Sequence, residues 1–379
     1  MHDLDGAAAH AREPADSLAR ERAAWGFLEG MPELATDGRP LSSFEDASPF
    51  LFYFPVGVYW TWLSLKYLSI GLPSLANPSI SAGGLCGESK SDVLHLLGPH
   101  GKAALAPFTT VDDGTLAVAL RAMADAGLDF PVVAKPDIGR RGSGVEGIAD
   151  EDALAAYLAR FPAGRRLILQ RMVHDEAEAG VFYVRKPGEK RGRIVSLTLK
   201  YFPRVLGDGH STLRALIAAD PRASKLSHLY HRRLGARLDE VPAEGESVRL
   251  VHVGNHCKGA IFRNGQRYVT TAMEEAFAAV SDEIPDFYFG RFDVRFHSLE
   301  DLQQGRGFTI IEVNGAGSEA THIWDRQTRL IDAYRGLFMQ IRLAFEIGAA
   351  NRRRGLKPMS GIALLRCYLA EKKLISAYL

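Results

Sequence analysis

Two apolar stretches carry oxygen-bearing and cationic residues at a spacing that suits phosphate chemistry. Gly290-Arg291-Phe292-Asp293-Val294 and Ile310-Ile311-Glu312-Val313-Asn314-Gly315 both read as strands. Side chains alternate across a strand, so Arg291 shares a face with Asp293, and Glu312 shares one with Asn314. Hard oxygen donors gathered on a sheet surface suit Mg²⁺ carrying nucleotide phosphates, because Mg²⁺ takes part of its shell from its substrate. The Arg291 guanidinium fits beside the carboxylates when a polyphosphate is the third party. Exposed strand faces also carry Asp, Glu and Arg as solvated or cross-strand pairs, and the rest of the chain has to choose between the two.

A second cluster follows the apolar run Pro131 to Ala134. Lys135 ends it, and Gly139-Arg140-Arg141-Gly142-Ser143-Gly144 comes next. Glycines let backbone N–H groups approach an anion, and a lysine at a strand end adds a point charge, so the pair can cover a phosphate. A plain hairpin is the alternative. It is not a Walker A loop, which needs Lys and Ser or Thr directly after its last glycine.

The elements that must hold these residues can be read from periodicity and caps. A loop at Asn77-Pro78 and Gly83-Gly84 precedes a helix from Ser89 to Leu97 and marks a boundary near residue 85. Strand, helix, strand pair, helix and strand then follow between Phe108 and Val173, the last strand being Leu167 to Val173. This is an α+β module the size of a lid. Beyond it, Gly180 to Lys186, Arg193 to Tyr201, Ser247 to Val253 and Gln266 to Thr270 read as strands, with helices at Ser211 to Ala219, Thr271 to Asp282 and Arg326 to Asn351. The expected domains are 1–85, an atypical N-terminal region; 86–173, including the lid; 174–351, with the metal site; and 352–379, a helical extension.

Length and composition bound the partners. The 379 residues are 46% hydrophobic and 24% charged, with 46 basic against 45 acidic side chains, a net +1. That is an ordinary multi-domain globular chain with no overall electrostatic pull toward nucleic acid. Cys86, Cys257 and Cys367 lack C-x-x-C spacing and read as reduced thiols of a cytoplasmic protein. The N-terminus has no apolar core of a secretory signal, and Ser17 to Gly30 reads as a short helix.

Ala47 to Leu65 runs 19 residues without a charge and is crowded with aromatics. Pro49, Pro55 and Gly57 interrupt it, Lys66 closes it, and its length only touches the lower limit for crossing a bilayer. It reads either as a helix covering the domain or as a peripheral contact with the inner face of a membrane through residues 50–65, where Trp and Tyr suit the interface.

Taken in order, a lysine and Gly-rich loop in a small α+β lid, an apolar strand bearing Gln170, and R-x-D then E-x-N on paired strands resemble the ATP-grasp superfamily. The resemblance runs from about Glu88 to Asp325. Its texture is similar to D-alanine:D-alanine ligase and to the ATP-grasp part of cyanophycin synthetase, which shares the stretch Phe202 to Gly209. It implies an ATP-grasp fold, a small α+β lid plus a larger antiparallel-sheet α+β domain, here behind a helical, aromatic-rich N-terminal region.

The resemblance also implies roles. Ser89-Lys90, with Ala106-Pro107 downstream, stands where the first nucleotide-phosphate lysine stands, and Lys135 where the second does. Gly139, Gly142, Ser143 and Gly144 would cover the phosphates. Gln170, Arg171, Met172 and Val173 would form the adenine hinge, and Glu178 would hold the ribose. Lys200 would approach the terminal phosphate as a catalytic residue with Arg291. Asp293, Glu312 and Asn314 match ligands for two Mg²⁺ ions, which Mn²⁺ could replace. Lys258, in Gly254-Asn255-His256-Cys257-Lys258-Gly259, is a phosphate contact or a plain turn residue. Ser318, His322 and Arg326 are candidates for the acceptor substrate. Two departures stand out: residues 1–85 lack a Rossmann-like alternation, and Gly315-Ala316-Gly317 replaces the usual Pro-Gly step after the last metal ligand.

The implied activity is ATP-dependent, ADP-forming ligation of a carboxylate to an amine through an acyl phosphate. The alternatives are an ATP-grasp kinase acting on a small-molecule or lipid acceptor, and a membrane-associated ATP-binding scaffold whose catalysis has decayed.

Overall fold

The computed structural model describes residues 28–34, 44, 47–112, 114–251, 254 and 258–378; most of the expected Ser17 to Gly30 helix, and the residues Asn255, His256 and Cys257, lie outside them. Its strands are β1 (Phe108–Val111), β2 (Val132–Pro136), β3 (Glu146–Ile148), β4 (Leu167–Arg171), β5 (Ala177–Val184), β6 (Arg193–Tyr201), β7 (Arg204–Leu206), β8 (Ser247–Arg249), β9 (Ile261–Asn264), β10 (Phe289–Phe296) and β11 (Phe308–Asn314). Chain contacts divide the protein into two compact units, Leu41–Lys200 with Phe262–Leu379, and Met1–Pro40 with Tyr201–Ile261.

The larger unit holds two sheets. The first is four-stranded, in the order β1-β4-β2-β3, and all its pairings are antiparallel. Helices Leu116–Asp125 and Glu151–Arg160 cover it through Ala119, Met123, Leu154 and Tyr157, which pack on Val132, Ala134 and Leu169. Asp150 starts the second of these helices by accepting from the N–H of Ala153, the usual way of satisfying a free donor at a helix start. The sequence leads to the same small α+β arrangement of antiparallel strands and covering helices.

The second sheet is five-stranded, in the order β11-β10-β5-β6-β9. Its β10 reads FGRFDVRF, and the alternation sends Phe292, Val294 and Phe296 into a fully buried layer. There Phe277, on the helix Thr271–Asp282, packs on Phe292 and stacks on Phe308. The long helix Leu330–Arg353 supplies a further apolar layer through Leu343, Ala344 and Ile347, against Phe182 and Phe289. The α+β expectation is met.

One expected strand is corrected. Gln266 to Thr270 forms a 3-10 turn over Gln266–Tyr268, and the strand lies earlier, at Ile261–Asn264. The Asn264 side chain accepts from the N–H of Gln266 at 3.0 Å, and Thr270 caps the next helix at Met273. Both side-chain bonds give the backbone a local alternative to a ladder.

The aromatic run forms one helix, Pro49–Lys66, with Pro55 inside it. One face is a cover, as expected: Phe52 stacks on Tyr334, Tyr59 meets Phe338 at 4.7 Å and Trp60 meets Phe345 at 5.2 Å. No helix among the described residues is long and apolar enough to cross a membrane.

The smaller unit pairs β7 with β8 and has its own core of Phe202, Leu213, Ile217, Tyr230 and Leu250. Arg222 is buried there and donates to the carbonyls of Gly259 and Ala260 at 2.8 and 3.0 Å.

Candidate functional site

Strand register gathers the chemistry of the larger unit onto one sheet face. On β10 the alternation that buries Phe292 and Val294 turns Arg291, Asp293 and Arg295 the other way. Asp293 lies opposite Glu312 and Arg291 opposite Asn314 on β11. On the other side Arg295 lies opposite Glu178 of β5, and Glu178 lies opposite Lys200 of β6.

These charges form a connected chain. Arg291 grips Asp293 with two nitrogens, at 2.8 and 3.0 Å, and the Lys200 ammonium donates to Asp293 at 2.9 Å and to Glu178 at 3.1 Å. Arg295 completes it, 3.2 Å from the other oxygen of Glu178. Burial by itself would raise the Asp293 pKa, but Arg291 and Lys200 outweigh it and hold the carboxyl below its usual range. Burial likewise works against a charged Lys200, and Asp293 with Glu178 overcomes it, so its pKa is raised. Gly180 stands opposite Asp293 on β5, and a Cβ there would come within 3.0 Å of the Arg291 side chain. The glycine leaves room for the arginine to reach the aspartate.

Two further cations approach Glu312, one from the helix Lys90–His95 and one from the small sheet. Lys90 opens the helix Lys90–His95, and its ammonium lies 3.4 Å from the Glu312 carboxylate while donating to the carbonyl of Gly139 at 2.6 Å. Lys135, at the end of β2, donates to Gln170 Oε1 at 2.8 Å and to the carbonyl of Ile311 at 3.0 Å. Gln170 in turn donates to the carbonyl of Ala106. Burial pulls the Lys135 pKa down to about 8, with Glu312 opposing the drop. Both lysines thus sit by the residue that the sequence marks as a metal ligand.

Loop 139–144 is anchored from three sides. Lys90 holds Gly139, the Tyr157 hydroxyl donates to the Gly144 carbonyl at 2.7 Å, and Arg140 pairs with Glu371 of the helix Gly361–Ile375 at 2.7 Å. Arg141, Gly142 and Gly144 have positive φ. At Gly144 a Cβ would also lie 2.7 Å from the Pro136 ring, so glycine is required there on two counts.

At the far end of β11 a second group of polar residues gathers. Glu88 accepts from the N–H of Gly315 at 2.8 Å, and burial raises its pKa to about 7 against the opposing charge of Lys90. The Glu319 carboxylate accepts from Tyr53 at 2.9 Å and from Trp324 at 3.0 Å, and burial raises its pKa as well. Arg291 reaches the same segment by donating to the Glu319 carbonyl. Ser318 bonds to the Gly315 carbonyl, and the His322 ring meets Ser196 at 2.7 Å, its pKa lowered by burial.

The structure therefore brings together Lys90, Lys135, Gly139, Gln170, Lys200, Arg291, Asp293, Glu312 and Asn314. Gly142, Ser143 and Gly144 continue the anchored loop. Arg171 ends β4, where its N–H donates to the Pro107 carbonyl, and Met172 and Val173 follow in the segment before β5. Arg326 lies in the turn before the long helix. Glu178, expected at the ribose, is buried between Lys200 and Arg295. Lys258 belongs to the smaller unit, where its carbonyl accepts from Tyr230. Sequence reasoning missed Glu88, Glu319, Gly180 and Arg295. Of these, Arg295 was readable from the alternation that placed Arg291 and Asp293.

Among the described residues, no three His, Cys, Asp or Glu side chains gather as a metal group. Glu312 and Asn314 nevertheless offer hard oxygen donors on one strand, facing Asp293, whose two oxygens take donors from Arg291, Lys200 and Asn314. Asn314 donates its amide nitrogen to Asp293, 3.4 Å away, which leaves its oxygen as an acceptor. Such a set fits Mg²⁺, which completes its shell with phosphate and water.

No protein-family profile and no curated protein sequence matches the chain. Solved structures do, in part. A bifunctional glutathione synthetase from Pasteurella multocida shares 16% identity at a TM-score of 0.33, over 66% of this chain and 36% of that one. A D-Ala:D-Ser ligase from Enterococcus faecalis shares 13% at 0.39, over 72% and 64%. A carboxyaminoimidazole ribonucleotide synthase from Aspergillus clavatus, solved with ATP, shares 12% at 0.36, over 68% and 52%. The matched parts thus span between about a third and two thirds of those proteins.

Proposed function

We propose that this chain is an ATP-dependent carboxylate–amine ligase that activates the acid as an acyl phosphate. The observation that supports this best is the meeting of Lys90, from the helix Lys90–His95, and Lys135, from the small sheet, with Glu312, beside Arg291, Asp293 and Asn314 of the large sheet. Cations on one side and oxygen donors on the other suit a polyphosphate bound with Mg²⁺.

In this reading Lys90 and Lys135 hold the nucleotide phosphates and loop 139–144 covers them. Mg²⁺ on Glu312, Asn314 and Asp293 would neutralise phosphate charge. An oxygen of the substrate carboxylate attacks the γ-phosphorus, the bond to ADP breaks, and an acyl phosphate forms. The amine then attacks the carbonyl carbon, phosphate leaves, and an amide remains. Arg291 faces the developing negative charge, held in aim by Asp293 and the Glu319 carbonyl. A closed lid keeps water from the acyl phosphate. Cytoplasmic placement belongs to the same reading, on the absence of C-x-x-C spacing among the three cysteines.

The test is release of ADP and phosphate from Mg²⁺-ATP against panels of acids and amines, with Glu312→Ala as control. Equal ADP and phosphate that require both an acid and an amine support the ligase. ADP without free phosphate, beside a stable phosphorylated product, would replace it with a kinase.

A further inference from the structure

The Pro49–Lys66 helix buries one face and leaves the other uncovered. Leu51, Phe54, Val58, Trp62 and Leu65 recur every three or four residues, hence on one stripe, and each is between 52% and 70% exposed. The opposite face, with Phe52 and Leu63, is buried. A second uncovered stripe lies on the helix Gly361–Ile375, where Ile362, Leu365 and Leu369 are 52% to 68% exposed. The two segments adjoin: a Cβ at Gly361 would lie 2.9 Å from Ile70, and one at Gly71 would run into the Met359 carbonyl. Apolar stripes on two helices whose ends meet in this way are more than scattered surface hydrophobics.

The exposed charges that these two segments themselves carry have one sign. Residues 47–70 contain no acid, and their only charge is Lys66, whose ammonium lies 5.3 Å from the Trp62 ring centre. In residues 352–378 the exposed charges include Arg352, Arg353, Lys357, Arg366, Lys372 and Lys373, while the single acid, Glu371, is buried on Arg140. Arg352 also donates to the Tyr67 carbonyl, which ties the basic run to the end of the aromatic helix.

We infer that this two-helix face docks on an anionic lipid bilayer and lies in its interface. Trp and Tyr favour that depth, and basic side chains beside an apolar stripe reach the headgroups. A second copy fits less well, because two such faces apposed would bring their basic rims together. The inference is independent of the reaction proposed above.

Vesicle sedimentation of the full chain tests it, with phosphatidylcholine alone and with added phosphatidylserine. The chain should sediment with the anionic vesicles, with tryptophan emission shifted to shorter wavelength and quenched by brominated lipid. Phe54→Ser with Trp62→Ser removes two exposed apolar side chains and should weaken binding about tenfold or more, with an unchanged circular-dichroism melt. Arg366→Glu with Lys373→Glu should abolish the preference for phosphatidylserine while leaving the apolar stripe. The inference is overturned by no sedimentation, by equal binding to both vesicles, or by a dimer in light scattering that Phe54→Ser with Trp62→Ser dissolves and vesicles do not compete away.

Discussion

Asp293 stands opposite Glu312 in the register of β10 and β11, and the two carboxylates are held differently. Asp293 takes donors from Arg291, Lys200 and Asn314 and is only 6% exposed at its side chain, whereas Glu312 meets Lys90 and is 26% exposed. Removing Asp293 would leave Lys200 and Arg291 buried without their shared partner. Asp293→Ala should therefore cost about 3–5 kcal/mol in urea unfolding. Glu312→Gln keeps the shape and removes an accessible charge, so it should leave the unfolding midpoint near wild type while lowering Mg²⁺-ATP turnover by roughly 100-fold or more. Equal loss of stability in the two variants would contradict this division.

Lys135 gives a pH signature. Its pKa, drawn down to about 8 by burial, should rise when polyanionic phosphate binds beside it. Near pH 8 nucleotide binding should then take up a proton, seen as a calorimetric heat that depends on the buffer's ionisation enthalpy. Lys135→Met should abolish the uptake and weaken binding at pH 7 by roughly 10–100-fold, the range for a hydrogen bond to a charged group. The folded pKa lies below the unfolded one, so the contribution to stability is fully present above about 10.5 and is lost as pH falls through about 8. Wild type should gain on Lys135→Met over that window.

What the sequence revealed of this site followed local periodicity. FGRFDVRF and IIEVN each announce a strand with a polar face, and the structure pairs those faces in register. Alternation tells which way a side chain turns, but not what it meets. The resemblance assigned Glu178 to ribose, whereas Lys200 and Arg295 occupy its carboxylate, and that pairing depends on the strand order β10-β5-β6. Glu88 and Glu319 were invisible for a related reason. They sit in irregular segments, and Glu88 finds its partner Gly315 across 227 positions of sequence. The misplaced strand at Gln266 shows the local limit: one Asn side chain diverted the backbone into a turn.

Glu88 should make stability depend on pH in the opposite sense to a paired carboxylate. Burial raises it from 4.5 to about 7, so the folded state holds its proton more tightly than the unfolded one. Its contribution is fully present below about 4.5 and is lost as pH rises through about 7, a change of roughly 3 kcal/mol. Glu88→Gln stays neutral and can still accept from the N–H of Gly315. The variant should match wild type near pH 4.5 and exceed it at pH 8 in urea midpoints. Parallel curves across that range would show that Glu88 ionises freely.

The C-terminal helix Gly361–Ile375 anchors loop 139–144. Arg140 leaves loop 139–144 to pair with Glu371, whose side chain is only 5% exposed, while the arginine is 39% exposed. The half-open guanidinium feels solvent screening, so the pair should couple toward the low end of the usual range of about 0.5–3 kcal/mol. A double-mutant cycle of Arg140→Met and Glu371→Gln, read by thermal unfolding, measures it. Loss of the anchor frees a loop whose conformation must be fixed for its N–H groups to meet phosphate, so ordering entropy is then charged to nucleotide binding. Each variant should raise KM for ATP by about threefold to tenfold, with a smaller change in kcat. If kcat fell and KM did not move, the helix would be acting on the reaction centre by another route than this loop.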